Sequence, residues 1–189
     1  MSANTLAYVL VAAFFLYTEV FMRRGATARN VKAGAPDRGS TALIVTAYGV
    51  AILLPWLLDR LNLGWLPDRT LFGWIGLALI VLGISLRVWA MSVLGQYYTR
   101  TLVVVDKQRI VKEGPYRIVR HPGYLGSLLV WVGFSIAVGN WVVVVLVATL
   151  MIVAYSYRIR AEEAMLKDSL GEEYLQYAAH SWRLVPLIY

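Results

Sequence analysis

Five apolar stretches, at about residues 4–22, 41–58, 70–94, 123–138 and 141–157, leave this chain few ways to fold. Lipid offers no hydrogen-bond partners to a backbone, so a single segment that crosses it must satisfy its own amides by being helical. About 20 apolar residues in a helix cross the hydrocarbon core. Composition agrees: of 189 residues, 59% are hydrophobic and 15% charged, outside the ordinary soluble range. The Val142–Val145 run has strand propensity, but an unpaired strand in lipid leaves its backbone unsatisfied, and helix is expected there too. The sequence therefore predicts one all-α integral membrane domain with five transmembrane helices and a C-terminal helical cap.

The charges between these stretches set an orientation. Arg23, Arg24, Arg29, Lys32 and Arg38 fall within 23–40, and Arg100, Lys107, Arg109, Lys112, Arg117 and Arg120 within 95–122. Basic loops face the cytoplasm. Five crossings put 23–40, 95–122 and 158–189 together on that side, with the N-terminus outside; four or six would separate them. The net charge of +7 then reflects topology and anionic headgroups, not nucleic acid. The first stretch lacks a basic leader and a small-residue cleavage site, so it reads as an uncleaved helix, with Glu19 and Arg23 spaced for an i,i+4 pair. Pro55 lies close enough to the end of the second stretch to be tolerated or to kink it. Gly73, Gly76 and Gly83 would let a neighbouring helix approach the third closely. Arg87 in that span must snorkel, pair, or face a wet, substrate-bearing cavity. Gly139-Asn140 reads as a tight turn, and Gly171 as a break between two short surface helices.

Two polar blocks flank the hairpin formed by the last two spans, Gly114-Pro-Tyr-Arg-Ile-Val-Arg-His-Pro-Gly-Tyr-Leu-Gly126 and Arg158-Ile-Arg-Ala-Glu-Glu-Ala-Met-Leu166, so they meet on one face. Pro122 favours the first position of a helix, which puts His121 at an N-terminus where free N–H groups attract an anion. Gly114-Pro115 supplies a turn at which backbone approaches a ligand. Tyr116 and Tyr124 read either as interfacial aromatics or as ring and hydroxyl contacts for a ligand. On a helix Glu162 and Glu163 point about 100° apart, so one of them faces the site. Alternatively they pair locally, Arg158 with Glu162, Glu163 with Lys167 and Arg160 with Glu163. Tyr174 and Tyr177 share a helical face and would anchor it at the interface or line a pocket. His180 reads as surface. With no cysteine and two histidines, no metal centre or thiol chemistry is expected. No Gly-x-Gly-x-x-Gly turn signals a Rossmann domain.

Written as Arg-His-Pro-x-Tyr-x-Gly and then Arg-x-x-x-Glu-Glu-x-x-Leu, followed by Gly171-Glu-Glu-Tyr174, Tyr177 and Arg183-Leu-Val-Pro186, these elements resemble the signature of the isoprenylcysteine carboxyl methyltransferase and phospholipid methyltransferase superfamily. The resemblance covers roughly 95–189; residues 1–94 match only as generic membrane helices. It implies an enzyme that uses S-adenosyl-L-methionine to methylate a lipophilic substrate, such as an isoprenylcysteine-like carboxylate or a phospholipid amine. The implied cofactor residues are Gly114, Tyr116, His121, Tyr124, Glu162, Glu163, Tyr174 and Tyr177, with the C-terminal segment as a cap. A carboxylate acceptor needs no base, and Arg183 or Arg87 would clamp it; for an amine, Glu163 is the candidate base. Two other readings stand beside this one: a nicotinamide-dependent membrane reductase, and a small transporter or helix-packing subunit. The lack of an internal repeat counts against a transporter built from duplicated halves. The compact length points to a bacterial or archaeal inner membrane.

Overall fold

Thirty residues run from Trp141 to Leu170 without a glycine or proline, and they form one unbroken helix. The computed structural model describes residues 5–14, 31–32, 39–61, 63–97, 104–105 and 109–187. The elements are α1 (Thr5–Phe14), β1 (Val31–Lys32), α2 (Ser40–Arg60), α3 (Arg69–Leu94), β2 (Val104–Val105), α4 (Pro122–Val138), α5 (Trp141–Leu170) and α6 (Glu172–Ala179). Short 3-10 turns occupy Gly95–Tyr97 and Gly114–Arg117. The second polar block is thus not a separate surface helix, as the sequence suggested. Nothing in it breaks a helix, so α5 is apolar to Tyr157 and runs on as a polar rod to Gly171.

Among the described residues three helices, Ser40–Leu58, Arg69–Leu94 and Trp141–Leu170, are long and apolar enough to cross a membrane. α4 has 17 residues, about 25 Å of helix, and falls short of that length. Of the first expected span, only Thr5–Phe14 is described; its continuation, with Glu19 and Arg23, lies outside the described residues. Leu53, Trp56, Leu57, Trp74, Leu82 and Val153 turn outward. Water would penalise such a surface and lipid accommodates it, as expected of an integral membrane protein. The helix α2 continues through Pro55 to Arg60.

The two ends of the bundle are tied differently. At one end, the amide of Leu66 donates to Gly139 O (2.9 Å) and that of Trp141 to Gly64 O (2.8 Å), joining the α2–α3 loop to the α4–α5 turn. Gly139 sits there at φ +82° and closes α4. Asn140 follows: its Oδ1 accepts from the amides of Val142 (3.0 Å) and Val143 (3.2 Å), while its Nδ2 donates to Leu63 O at 2.6 Å. At the opposite end β1 pairs antiparallel with β2, Val31 opposite Val105 and Lys32 opposite Val104. The strictly helical fold read from the sequence lacked this ribbon, which pairs backbone from the two basic loops. Val119 and Trp182 form a parallel bridge at the same end. α1 packs one face, Ala7, Val11 and Phe14, against the bundle, with Tyr8 edge-on to Phe134 at 4.9 Å and the Arg87 guanidinium 5.7 Å from the Phe14 ring.

The tightest seam joins α3 to α4. A Cβ on Gly76 would lie 2.4 Å from Gly133 O, and one on Gly83 2.5 Å from Gly126 O. Gly126 and Gly133 face the same restriction from the other side, so two glycine pairs let the backbones touch. Behind the seam, Ile80, Val130, Trp131, Phe134, Val147, Met151 and Tyr155 form the sealed core. We expect Gly83→Val to lower the midpoint of thermal unfolding in detergent, by an overpacking cost of about 1–3 kcal/mol or more. Gly49→Ala, where an added Cβ meets nothing within 4 Å, should leave the midpoint unchanged or raise it.

Candidate functional site

The two polar blocks converge where α4 begins and α5 leaves its apolar stretch. His121 is the N-cap of α4, and Pro122 takes the first helical position. The imidazole is buried beside the two adjacent glutamates of α5, with Nε2 3.2 Å from Glu163 Oε1 and Nδ1 3.9 Å from Glu162 Oε1. The divergence of adjacent helical side chains therefore does not force a choice between the carboxylates. One ring spans the gap, and Glu162 and Glu163 approach it from different sides.

Glu163 collects two guanidinium groups and an imidazole. Its Oε1 accepts from Arg120 Nε at 3.0 Å and faces His121, and its Oε2 pairs with Arg183 Nη2 at 2.8 Å. Burial works to raise the pKa of this carboxyl, but the His121 contact, and after it hydrogen bonds from Arg183 and Arg120, bring it down from 4.5 to about 2. Glu162 accepts instead from the Tyr124 hydroxyl at 2.7 Å. These partners come from other elements of the chain.

Arg183 reaches the cluster because the C-terminal segment is stitched to the loop before α4. The amide of Trp182 donates to Ile118 O (2.8 Å), that of Arg120 to Trp182 O (2.8 Å) and that of His121 to Arg183 O (3.2 Å). Arg120 also donates through Nη1 to Ala178 O at 2.7 Å and to Ser181 O. The cap thus shares its anchor with the carboxylate. Tyr177 donates to the carbonyl of Tyr116 at 2.7 Å, and burial, against the opposing charge of Arg120, pushes its hydroxyl up to about 12. Burial, followed by the nearby Glu163 charge, holds the Tyr174 hydroxyl well above its ordinary value. That hydroxyl is buried beside the Glu163 carboxylate, within the same cluster.

Not every expected site residue joins the cluster. Gly114 adopts φ +55°, and its immediate neighbours are Val93 and Trp89 of α3, so the close backbone approach it permits is to a helix. Tyr116 takes part through its carbonyl. Arg87 is buried and donates through Nη1 to Gly123 O (2.9 Å) and Ser127 Oγ (2.7 Å), fastening α3 to the first turns of α4. Arg183 has one edge committed to Glu163. His180 is exposed, its Nδ1 2.8 Å from Gln176 O. The sequence reading passed over Arg120 and Arg158, although both lie within the polar blocks. Arg120 directly precedes His121, and that adjacency was the available signal; Arg158 offered only its spacing to Glu162.

The arrangement can hold an amino-acid-like ligand. Arg183 and His121 suit a carboxylate, Glu162 suits an ammonium, and Tyr124, Tyr174 and Tyr177 supply hydroxyls and ring faces. Since Glu163 titrates lower in the folded protein than in the unfolded chain, its ion pairs contribute fully above about pH 4.5 and are lost as pH falls toward about 2. Hydrogen exchange of residues 172–187 should accelerate across that window. In Glu163→Gln the same segment should exchange fast already at neutral pH and respond little to acid.

A sequence model of the Isoprenylcysteine carboxyl methyltransferase (ICMT) family matches residues 74–168, which include both polar blocks. Protein-S-isoprenylcysteine O-methyltransferase A of Arabidopsis thaliana is 30% identical over 154 residues, 79% of this chain and 78% of that protein. Protein-S-isoprenylcysteine O-methyltransferase B of the same plant is 32% identical over 115 residues, 60% of this chain and 58% of its own length. The chain thus spans about three fifths of several relatives it matches. The solved structure of the eukaryotic intramembrane Ras methyltransferase ICMT superposes with a TM-score of 0.64 at 22% identity, covering 75% of this chain and 52% of that one, a likeness of fold. With the family match over the paired blocks and a relative aligned along most of both chains, this protein belongs to the isoprenylcysteine carboxyl methyltransferase family.

Proposed function

We propose that this chain methylates the carboxylate of a prenylated cysteine, or a closely similar lipophilic acid, with S-adenosyl-L-methionine as donor. The observation that carries the choice of acceptor is the state of Glu163. A carboxyl held near 2 by His121, Arg183 and Arg120 is a poor proton acceptor at neutral pH. An amine acceptor would have to lose a proton, whereas a carboxylate is already a nucleophile. The relatives named for isoprenylcysteine O-methylation favour the same class, and a phospholipid amine has no support from them. Nor does family membership favour the nicotinamide-dependent reductase or the transporter.

The donor set fits the cofactor expected for this family. When bound, S-adenosyl-L-methionine supplies an already activated methyl group, so binding, orientation and exclusion of water are what the protein contributes. His121, Tyr124, Glu162, Tyr174 and Tyr177 would line its pocket, with Gly114 and Tyr116 shaping the turn that supports Tyr177. Glu163 serves as the hub that sets Arg120, His121 and Arg183. Of those three partners Arg183 is the most accessible, with a side chain 33% exposed against 11% for Arg120 and 4% for His121. It is the group we assign to clamp the substrate carboxylate, and Arg87 to hold the start of α4 in place beneath it.

The placement of the ends supports a five-span topology with the N-terminus outside and the cap in the cytoplasm. β1, β2, the Arg158–Ser40 contact and the Val119–Trp182 bridge gather at one end, opposite the Trp65–Asn140 bridge. The cofactor then arrives from water and the substrate laterally from lipid, within one domain whose cofactor region is 95–189. The plant relatives lend no support to a prokaryotic inner membrane over another membrane.

Calorimetry on the detergent-purified protein should show saturable binding of S-adenosylhomocysteine, abolished by His121→Ala; a folded protein that binds none would overturn the methyltransferase assignment. With a labelled methyl donor, S-farnesylcysteine derivatives should be methylated and phosphatidylethanolamine should not. Arg183→Ala should lower turnover on the order of 100-fold, as for loss of one group that stabilises a reacting charge. Its effect on S-adenosylhomocysteine affinity should be much smaller; equal activity in the variant would remove Arg183 from the clamp.

A further inference from the structure

Arg158 is a charge with only 4% of its surface exposed, at the depth where α5 turns from apolar to polar. Burying a guanidinium is costly unless its donors are engaged. Nη1 donates to Ser40 Oγ at 2.7 Å and to Thr41 Oγ1 at 3.0 Å, both in the first turn of α2. Nε donates to the Tyr124 hydroxyl at 3.3 Å, and that hydroxyl donates to Glu162 Oε2 at 2.7 Å. Arg158 and Glu162 stand one turn apart on α5, where direct pairing is the ordinary arrangement. Here the hydroxyl of a tyrosine from α4 contacts both of them.

This line of groups has a direction. A hydroxyl that accepts from a cation becomes a stronger donor, so Arg158 strengthens the grip of Tyr124 on Glu162. With one oxygen of Glu162 held by Tyr124, the other faces His121 Nδ1 at 3.9 Å. We propose that Arg158 is a positioning residue that acts through Tyr124 to fix the Glu162 carboxylate in the cofactor pocket, and that it couples this carboxylate to the first turn of α2. The proposal rests on the cofactor reading above and adds to it a link between the pocket and the helix that follows the basic 23–40 segment. Linkage makes the coupling reciprocal: a ligand that engages Glu162 also steadies the start of α2.

A purely structural staple between α2 and α5 would show the same contacts but would not depend on Tyr124. The distinguishing experiment compares S-adenosylhomocysteine affinity and thermal midpoint for the full chain in detergent, in the wild type, Ser40→Ala/Thr41→Val, Tyr124→Phe and the combination of all three. Loss of the α2 hydroxyls should weaken binding about 5-fold when Tyr124 is present and less than about 2-fold when it is Phe, the signature of neighbours in one hydrogen-bond network. Arg158→Lys keeps the charge without the planar fork and should reproduce the loss of affinity. If the double variant does not accumulate, Ser40→Ala alone carries the same comparison. Equal losses in both backgrounds, or a lowered midpoint with unchanged affinity, make Arg158 a staple and overturn the proposal while leaving the cofactor site intact. A wild type that does not bind S-adenosylhomocysteine overturns the cofactor reading, and this one with it.

Discussion

Glu163 is where three parts of the chain are obliged to meet. Arg120 and His121 come from the start of α4, Arg183 from the C-terminal segment, and the carboxylate itself from the polar extension of α5. A carboxylate held by two guanidinium groups and an imidazole in a half-buried setting stays ionised and tolerates no large displacement of any of them. The parallel bridge between Val119 and Trp182 and the donation of Arg120 to Ala178 and Ser181 follow from that meeting. Remove the hub, and the cap retains backbone stitching without the charges that fix its register.

The hub also requires that α4 and α5 present their polar ends at a fixed height, and the glycine seam sets it. With Gly76 against Gly133 and Gly83 against Gly126, α4 can sit on α3 in few registers, because any slip brings a side chain against backbone. Arg87 then bonds to Gly123 and Ser127 and holds the first turns of α4. At the far end, Asn140 serves as cap for α5 and as donor to the α2–α3 loop, so the hairpin is fixed from both directions. An apolar bundle in lipid has little hydrophobic drive for helix association, which makes close backbone packing and buried polar contacts the terms that decide its geometry.

Much of this was legible in the residues. Apolar length located α2, α3, α4 and α5, Gly139-Asn140 located the turn, and the resemblance of the two polar blocks to a family signature picked out His121, Tyr124, Glu162 and Glu163 together. Other features were hidden for stated reasons. The unbroken passage of α5 into its polar half was masked by a change of composition, although helix continuity depends on the absence of breakers and not on polarity. The partners of Glu163 lie 43, 42 and 20 residues away along the chain, counting from Arg120, His121 and Arg183, and no periodicity reports such contacts. Gly114 looked like a ligand-facing turn because a positive φ serves any close approach equally well; its neighbour proved to be α3.

The sequence by itself determined that this chain is helical and membrane-embedded, and that two polar blocks flank one hairpin. Those properties follow from local composition and short spacings, which act on a chain wherever it folds. Only the tertiary structure decided which charges meet. Arg158 turned to Ser40, Thr41 and Tyr124, Glu162 to Tyr124, and Glu163 to Arg120, His121 and Arg183. A buried polar group takes the partner that packing brings within about 3 Å, and packing is fixed by backbone contacts between helices distant in sequence.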